Sequence, residues 1–427
     1  MRAVLMSVAL AVASSGCSRS APETAVAPGT PATPHTVINA LIWAPDWPDE
    51  MHMIAEAFNH AHPQIHVNVQ FMIGNSVEEN IQPRVASNNM PDLLSVNPNA
   101  YAASLAEQGV LIDLENTPAW DDMLDRLKPD WTTESNKHFG VSGGVAATLI
   151  YYNTAMFKQA GITVLPTDFD SFLKVCAKLK KAGFTPIVWS GGFPNMLGNG
   201  PFASGFANNV VAREPQWKRK IADGSLNLDT AAVADIFSKM KLVAQRGYVQ
   251  DDYMTTGYDA NIKLFTDGKA AMTFDGTWAS GMLMKDQGFV TGTFIPPWNA
   301  TGKTPVPILG SETGFAIAAT RNRKAALLFL EFMMGPGFSI QQARRHNIAP
   351  LKHLQGKAVA DPRIVDYVQR ISAYPVTASP YYSFLPAATI DLTHALMQES
   401  MLNKITAAQA AAGLDRSIKN EALRKNH

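Results

Sequence analysis

The sequence from residue 37 onward alternates short apolar segments, typical of β-strands, with amphipathic helical segments. Residues 37–43 form the first apolar segment, and Pro48 opens a helical pattern directly after it. In this helix four apolar side chains recur at i, i+3, i+4 and i+7 and predict one buried stripe: Met51, Ile54, Ala55 and Phe58. Alternating units of this length indicate an open α/β sheet, in which ligands bind beyond the carboxyl ends of the strands.

The same alternation continues through the rest of the chain. The predicted strands lie at residues 65–72, 92–96, 149–152, 184–189, 269–274, 292–295 and 314–319. The predicted helices lie at residues 101–108, 170–181, 229–245 and 324–334, and the C-terminal remainder is mostly helical. Asp229 is the predicted N-cap of the helix at 229–245. With 427 residues and a hydrophobic fraction of 46%, the chain is long enough for two domains with large cores.

The overall charge excludes some classes of partner. The chain has 36 basic and 36 acidic residues, so its formal net charge is zero. A neutral chain gives no broad electrostatic reason to bind nucleic acid or an anionic membrane surface. We therefore expect no nucleic-acid partner.

The N-terminus has the pattern of an export signal. Arg2 precedes an apolar run at residues 3–13, and small residues at 14–16 precede Cys17. Small residues before a cysteine resemble a lipobox, in which the thiol takes up a diacylglycerol group. Ser14 stands where that motif usually has Leu or Val, so ordinary signal cleavage nearby stays open as an alternative. We predict a lipoprotein signal peptide over residues 1–17 with Cys17 as the lipidated residue.

The segment after Cys17 predicts a spacer. Residues 18–36 are rich in Ala, Pro and Thr and lack apolar periodicity, which is typical of a flexible tether. No later apolar run has the length of a membrane span. The sequence therefore predicts a periplasmic or cell-surface protein, attached to the membrane only through its N-terminal lipid.

Six short motifs occur in a fixed order along the chain. They are Ala-Phe-Asn to Pro-Gln-Ile-His-Val at residues 57–67, Met-Pro-Asp-Leu-Leu at 90–94, Tyr-Tyr-Asn-Thr-Ala-Met-Phe to Ala-Gly at 151–161, Phe-Thr-Asp-Gly-Lys-Ala-Ala-Met at 265–272, Gly-Thr-Trp at 276–278 and Gly-Phe-Ala-Ile at 314–317. Together they resemble segments of extracellular solute-binding protein family 1, the maltose-binding-like group that serves carbohydrate ABC importers. The resemblance extends from residue 37 to about residue 411.

This resemblance implies a fold and a function. The expected fold is of the α/β class: two α/β lobes, periplasmic-binding-protein-like and of type II, with a multi-segment hinge and a mostly helical C-terminus. The N-terminal lobe is expected at residues 37–142 and 295–336, and the C-terminal lobe at residues 143–294 and 337–427. The hinge crossings are expected near residues 139–146, 292–294 and 335–338. Glycines there either absorb the hinge motion or are ordinary loop glycines.

The implied function is capture of a sugar for import. The expected partners are a small sugar, a disaccharide or short oligosaccharide, and the membrane permease subunits of an ABC importer. We expect a monomer that is not an enzyme and needs no cofactor or metal.

A sugar needs hydrogen-bonding groups for its hydroxyls and aromatic rings for its apolar faces. Loops at the carboxyl ends of the predicted strands carry both kinds of side chain. The candidate ligand-binding residues are Trp43, Asp46, Trp47, Asn75, Asn97, Asn99, Trp189, Ser190, Asp275, Gly276, Trp278, Trp298 and Glu312.

Several of these candidates also have a structural interpretation. Trp43 is equally well the last core residue of its strand, and Asp46 a cap of the helix after Pro48. Trp189 can pack as core under the following glycine loop. Trp278 combines a loop position with the stacking tryptophan that the resemblance implies.

Two other functions stay open at this point. A carrier of glycerol 3-phosphate or its diesters would use the Ser190-Gly191-Gly192 segment as a phosphate nest, with Arg344 and Arg345 in the cleft. An exported glycoside hydrolase or lyase would need an acid/base pair drawn from Asp46, Asp275 and Glu312.

The histidines near residue 60 do not indicate a metal site. They are His60, His62 and His66, at the end of a helix and the start of a strand, and they share no face.

Overall fold

The computed structural model describes residues 36–74, 76–356 and 360–425. Cys17, the predicted signal peptide, the tether up to residue 35 and the candidate Asn75 lie outside the described residues. Among the helices described, none is both long enough and apolar enough to cross a membrane.

Nine strands are present within these ranges. They are β1 Thr36–Ile42, β2 Ile65–Phe71, β3 Leu93–Val96, β4 Val145–Asn153, β5 Thr185–Val188, β6 Ala270–Gly276, β7 Thr291–Phe294, β8 Leu309–Ser311 and β9 Gly314–Ile317. They form two sheets, one in the order β2-β1-β3-β9 and one in the order β5-β6-β4-β7, with β8 paired to β4.

The described α-helical segments alternate with these strands and make up most of the C-terminal part. They are α1 Pro48–Ala61, α2 Val77–Ala86, α3 Ala100–Glu107, α4 Pro118–Asp122, α5 Thr154–Gln159, α6 Phe169–Lys181, α7 Asn195–Leu197, α8 Ala203–Phe206, α9 Trp217–Ala222, α10 Ala231–Gln245, α11 Tyr258–Thr266, α12 Ser280–Leu283, α13 Arg323–Met334, α14 Phe338–Arg345, α15 Pro362–Ser372, α16 Ala387–Met401 and α17 Ala407–Lys425. Two π-helical turns, Gly198–Phe202 and Ala207–Val211, flank α8.

The first sheet is built from the N-terminal α/β units. β1 is parallel to β2 and β3, and β9 joins β3 in the antiparallel direction. The stripe predicted on α1 is confirmed, because its four apolar side chains are all buried. The sheet and its helices therefore form one α/β layer with an apolar core between them.

The second sheet is centred on the nine-residue strand β4. β4 pairs in the antiparallel direction with β6, β7 and β8, and β5 is parallel to β6. α10, α16 and α17 pack together beside it and confirm the expected helical C-terminus. The α/β fold class with two lobes is therefore confirmed.

The two sheets are joined where two chain segments run side by side. Val141 bridges to Phe315 of β9, whereas Val145 pairs with Ser311 of β8. The chain thus passes between the sheets at residues 141–145 and again at residues 311–315. The expected crossing near residues 139–146 is present.

The glycines at this crossing are required for close packing. A Cβ atom added at Gly143 would lie 2.4 Å from the carbonyl oxygen of Thr313. At Gly140 it would lie 2.6 Å from the Trp131 ring. Real Cβ atoms do not approach neighbours this closely, so only glycine lets the two segments lie side by side.

Of the other two expected crossings, residues 292–294 lie instead within β7, which pairs with β4 inside the second sheet. The turn at residues 335–337 connects α13 to α14, and both helices pack against α1 of the first sheet. β8 lies in the range predicted for the N-terminal lobe but pairs with the second sheet. The lobe boundaries stay a prediction.

The N-cap of α10 was predicted wrongly. Thr230, not Asp229, has the extended backbone of an N-cap, and its hydroxyl accepts a hydrogen bond from the Val233 N–H at 3.3 Å. Asp229 lies one residue too early for this contact.

An aromatic cluster fills the core of the second sheet. The Trp298 ring is fully buried, and its centroid lies 5.1–5.3 Å from those of Phe169, Phe172 and Phe274. Two of these ring pairs are T-shaped and the third is tilted, and these distances and orientations are typical of favourable aromatic packing.

We predict that Trp298→Ala lowers the free energy of unfolding by about 3–5 kcal/mol, because it leaves a large cavity in this cluster. Urea denaturation followed by circular dichroism measures the change. Val164→Ala, at a side chain that is 76% exposed, is the control and should change the value by less than about 0.5 kcal/mol. A loss below about 1 kcal/mol for Trp298→Ala would contradict the central place of this ring in the core.

Candidate ligand-binding site

A cavity of about 90 Å³ lies between the two sheets and is lined from both. The first sheet and its helices contribute the loop after β1, the start of α2 and the end of β3. The second contributes residues around α7, the start of α11, Trp278 and residues around Tyr381. The crossing segments at Gly143 and residues 312–313, with α14, complete the wall.

The loop after β1 is held in place by β3. The Trp43 N–H donates a hydrogen bond to Ser95 Oγ at 2.9 Å, which ties the end of β1 to its neighbouring strand. Trp43 keeps part of its ring exposed at the cavity, whereas Trp47, next to the N-terminus of α1, is buried. The strand ends therefore direct this loop into the cavity, as the α/β topology predicts.

A buried ion triad forms one side of the cavity. Arg345 at the end of α14 donates from Nε to Asp46 Oδ2 and from Nη2 to Glu312 Oε2, both at 3.0 Å. Each of the three side chains is less than a tenth exposed. The guanidinium also lies 5.8 Å from the centre of the Trp47 ring.

Burial and the ion pairs act in opposite directions on the pKa values of Arg345 and Glu312. Burial by itself would lower the pKa of Arg345, but the carboxylates of Glu312 and Asp46 raise it above its ordinary value. Burial raises the pKa of Glu312, against the lowering effect of Arg345. One guanidinium is thus shared by two acidic side chains.

Glu78, in the first turn of α2, forms a second polar cluster. Its Oε1 accepts hydrogen bonds from Asn97 Nδ2 at 3.0 Å and Asn99 Nδ2 at 2.7 Å. Burial raises the pKa of Glu78, and its Oε2 is buried without a hydrogen-bond partner. Among the described residues no hydrogen-bond donor reaches this oxygen. A hydroxyl group of a bound ligand can therefore donate a hydrogen bond to it.

A third group surrounds the end of β6. Asp275 accepts a hydrogen bond from the Gly276 N–H at 2.8 Å, and its other oxygen is buried without a partner. Burial raises the pKa of Asp275 to about 8. A Cβ at Gly276 would lie 2.2 Å from the Trp278 ring, so glycine lets this ring fold back over the strand end.

The structure brings six of the thirteen candidates to the cavity wall. These are Trp43, Asp46, Trp47, Asn97, Trp278 and Glu312. Three more lie directly behind it: Asn99 contacts Glu78 and caps α3, while Asp275 and Gly276 support Trp278.

The remaining described candidates are not in the wall. Trp189, Ser190 and Trp298 are each at most 2% exposed. Trp189 exchanges backbone hydrogen bonds with the Gln250 side chain, at 3.0 Å and 2.6 Å. Its placement agrees with the alternative interpretation as a core residue.

The cavity also includes residues that the sequence did not indicate. The main ones are Glu78, Asn195, Asn199, Tyr258, Gln341, Tyr381 and Tyr382. Arg345, which the phosphate-carrier alternative required in the cleft, does reach the cavity. The sequence signal available for Glu78 was the cap residue Ser76, whose hydroxyl accepts a hydrogen bond from Glu79 N–H and so fixes the start of α2.

Comparison with known proteins identifies the class. The bacterial extracellular solute-binding protein family matches residues 44–338, and the chain belongs to this family. Its members are binding proteins that act outside the cytoplasm, which confirms the prediction of an extracytoplasmic binding protein rather than an enzyme.

The sequence identity to individual relatives is low, but the similarity covers most of each chain. The chain is 23% identical to the multiple sugar-binding protein of Streptococcus mutans, over 73% of this chain and 77% of the relative. It is 24% identical to the melibiose/raffinose/stachyose-binding protein MelE of Bacillus subtilis, over 69% of each chain. The solved structure of the solute-binding protein RafE in complex with raffinose is similar with a TM-score of 0.75 and 20% identity, covering 91% of this chain and 99% of that one.

The raised pKa of Asp275 makes the stability of the folded protein depend on pH. Its folded-state pKa of about 8 lies above the unfolded value near 4, so the folded protein holds about one more proton between these pH values. The resulting stabilisation is complete below about pH 4 and is lost as the pH rises towards 8.

We predict that Asp275→Asn becomes more stable relative to wild type as the pH rises from 5 to 7, by on the order of 1 kcal/mol per pH unit. Urea denaturation at several pH values measures this difference. Asp251→Asn, at an exposed position, is the control and should show no such trend. A difference between Asp275→Asn and wild type that stays constant with pH would show that Asp275 ionises normally in the folded protein.

Proposed function

We propose that this protein is the sugar-binding component of an ABC importer and that it captures a short oligosaccharide, of two or more units, between its sheets, which must move apart beyond the cavity volume of about 90 Å³ to hold such a ligand. The observation that carries the proposal is the pairing of two partly exposed tryptophans with buried carboxyl groups around one cavity. Trp43 belongs to the first sheet and Trp278 to the second. Rings from both sides suit the apolar faces of sugar units, and the carboxyl oxygens accept hydrogen bonds from hydroxyls.

The charge of the cavity favours a ligand without phosphate. Asp46 and Glu312 share one guanidinium, so the triad offers no unpaired positive charge to an anionic ligand. Arg345 is engaged by two carboxylates, so it is not free to bind an anion. Ser190 of the predicted phosphate nest is buried and does not line the cavity. These features count against glycerol 3-phosphate and its diesters.

The same contacts count against hydrolysis. A glycosidase needs one carboxyl group to donate a proton and another to act as base or nucleophile. Asp46 Oδ2 and Glu312 Oε2 both accept hydrogen bonds from the Arg345 guanidinium, so these two oxygens are already engaged within the cavity wall. Binding without turnover fits this arrangement better.

The relatives support a sugar ligand. The names of the Streptococcus mutans and Bacillus subtilis relatives specify sugars, among them the disaccharide melibiose and the longer raffinose and stachyose. We infer that the ligand of this chain belongs to the same class of small oligosaccharides and that the protein delivers it to permease subunits as a monomer.

The binding surface is divided between the two lobes, so the lobes can close around a ligand. Trp43, Asp46 and Glu78 belong to the first sheet side, whereas Tyr258 and Trp278 belong to the second, so the binding surface is complete only when the two sides are close. We propose that the lobes open to admit the sugar and close by rotation about the crossing segments.

We predict that Trp278→Ala weakens sugar binding by about 1–3 kcal/mol, which is roughly tenfold or more in Kd, because a stacking surface is lost. Asp46→Ala should have a comparable effect through lost hydrogen bonds. Titration calorimetry with raffinose, melibiose, maltose, trehalose, sucrose, glucose and glycerol 3-phosphate measures the affinities.

Tyr374→Ala is the matched control, since Tyr374 is partly exposed but does not line the cavity. It should leave the affinity unchanged. Preferential binding of glycerol 3-phosphate would contradict the proposed ligand class. Tight sugar binding that survives Trp278→Ala would contradict the proposed site but not the function.

We further propose that Cys17 carries the lipid that anchors the exported protein. The expected result is an acylated N-terminal Cys17 in mass spectra of the protein extracted from membranes of its native host. Cys17→Ser should release the protein in soluble form. An N-terminus that begins after residue 17 without an acyl group would contradict the anchor.

A further inference from the structure

Outside the cavity wall, three potential metal ligands meet at the surface of the first lobe. Asp113 and Glu115 follow the bridge between Leu111 and Ala318, and His138 itself forms a second short bridge with Thr132. One ligand atom from each of the three side chains lies within 4.8 Å of the others. Within the described parts of the chain this is the one such group of three.

The backbone fixes these side chains relative to one another. The Leu114 N–H donates to the His138 carbonyl oxygen at 2.8 Å, which joins the two segments. Asp113 Oδ1 accepts hydrogen bonds from the backbone N–H groups of Glu115 at 3.0 Å and His138 at 3.1 Å. The Asp113 carboxylate is thereby held beside the imidazole.

His138 provides an independent indication of a ligand. The residue is 8% exposed, and its ring packs on Trp120 with centroids 4.2 Å apart. Its Nδ1 is buried, has no hydrogen-bond partner and points at Asp113 Oδ1 from 3.4 Å. A buried nitrogen directed at an oxygen in this way needs a proton or a cation between them.

The distance between these two atoms favours a cation. Hydrogen bonds from N–H to oxygen are about 2.7–3.2 Å long, so 3.4 Å is too long for a good one. Two ligands of a tetrahedral zinc ion, with bonds of about 2.0–2.2 Å, lie about 3.3–3.6 Å apart. The observed separation therefore matches two corners of such a site.

We propose that His138, Asp113 and Glu115 bind a zinc-class divalent cation, with water as the fourth ligand. One imidazole and two carboxylates suit zinc better than calcium or magnesium, which prefer six or more oxygen ligands. The ion would link the segment after α3, which carries Asp113 and Glu115, to the segment around His138. None of the three residues lines the sugar cavity, so this proposal stands or falls independently of the proposed function.

The test uses the full chain, purified without a metal-affinity tag and freed of metal by a chelator. Zinc chloride is titrated by calorimetry, and Co²⁺ replaces it as a spectroscopic probe of tetrahedral coordination. The wild type should bind one zinc ion per chain and melt at a higher temperature with zinc, because the ion binds only the folded state. Calcium chloride should produce neither effect.

Two variants test the ligands, and one serves as a control. Glu115→Gln alters an exposed side chain, and His138→Phe keeps an aromatic ring against Trp120 while removing the nitrogen. Each should weaken zinc binding at least about tenfold. His353→Gln should have no effect, since His353 pairs with Asp122 alone in an exposed position.

The proposal is overturned if the wild type binds no zinc, if calcium binds in its place, or if both ligand variants retain wild-type affinity. The last result would mean an adventitious ion only. If His138→Phe fails to fold, as judged by circular dichroism, Glu115→Gln decides the question by itself.

Discussion

The ion triad of Asp46, Arg345 and Glu312 is the interaction on which the cavity depends. It joins the loop after β1, the end of α14 and the crossing segment after β8, three parts of the chain that are distant in sequence. Buried pairs of this kind add little net stability compared with an apolar core, but removal of one partner leaves an unpaired charge that costs about 3–5 kcal/mol. The triad is therefore better understood as fixing the geometry and charge of the cavity wall than as stabilising the fold.

Much of the fold could be predicted from local patterns. The stripe on α1 and the Gly109 and Gly183 positions after α3 and α6, both with positive φ, follow from periodicity and cap chemistry alone. The π-helical turns around α8 could not be predicted, because they depend on packing against the second sheet and Tyr381 rather than on local propensity. The pairing of β8 with β4 likewise depends on long-range contacts at the crossing.

The site could be predicted only in part, for a related reason. Strand-end position identified Trp43, Asp46, Asn97 and Trp278, because parallel and mixed sheets bring their strand ends together. It could not separate Trp278, which folds back over Gly276, from Trp298, which is enclosed by three phenylalanines. Arg345 and the His138 cluster come from elements whose proximity arises only in three dimensions.

The central claim is that the cavity between the two sheets is where the sugar binds. The most direct measurement is a crystal structure of the protein grown with the sugar that binds most tightly in calorimetry. We expect density for the sugar against the Trp43 and Trp278 rings, with hydroxyls within hydrogen-bond distance of Glu78 and of Asp46 or Glu312. Sugar bound elsewhere on the protein, with this cavity holding only water, would contradict it.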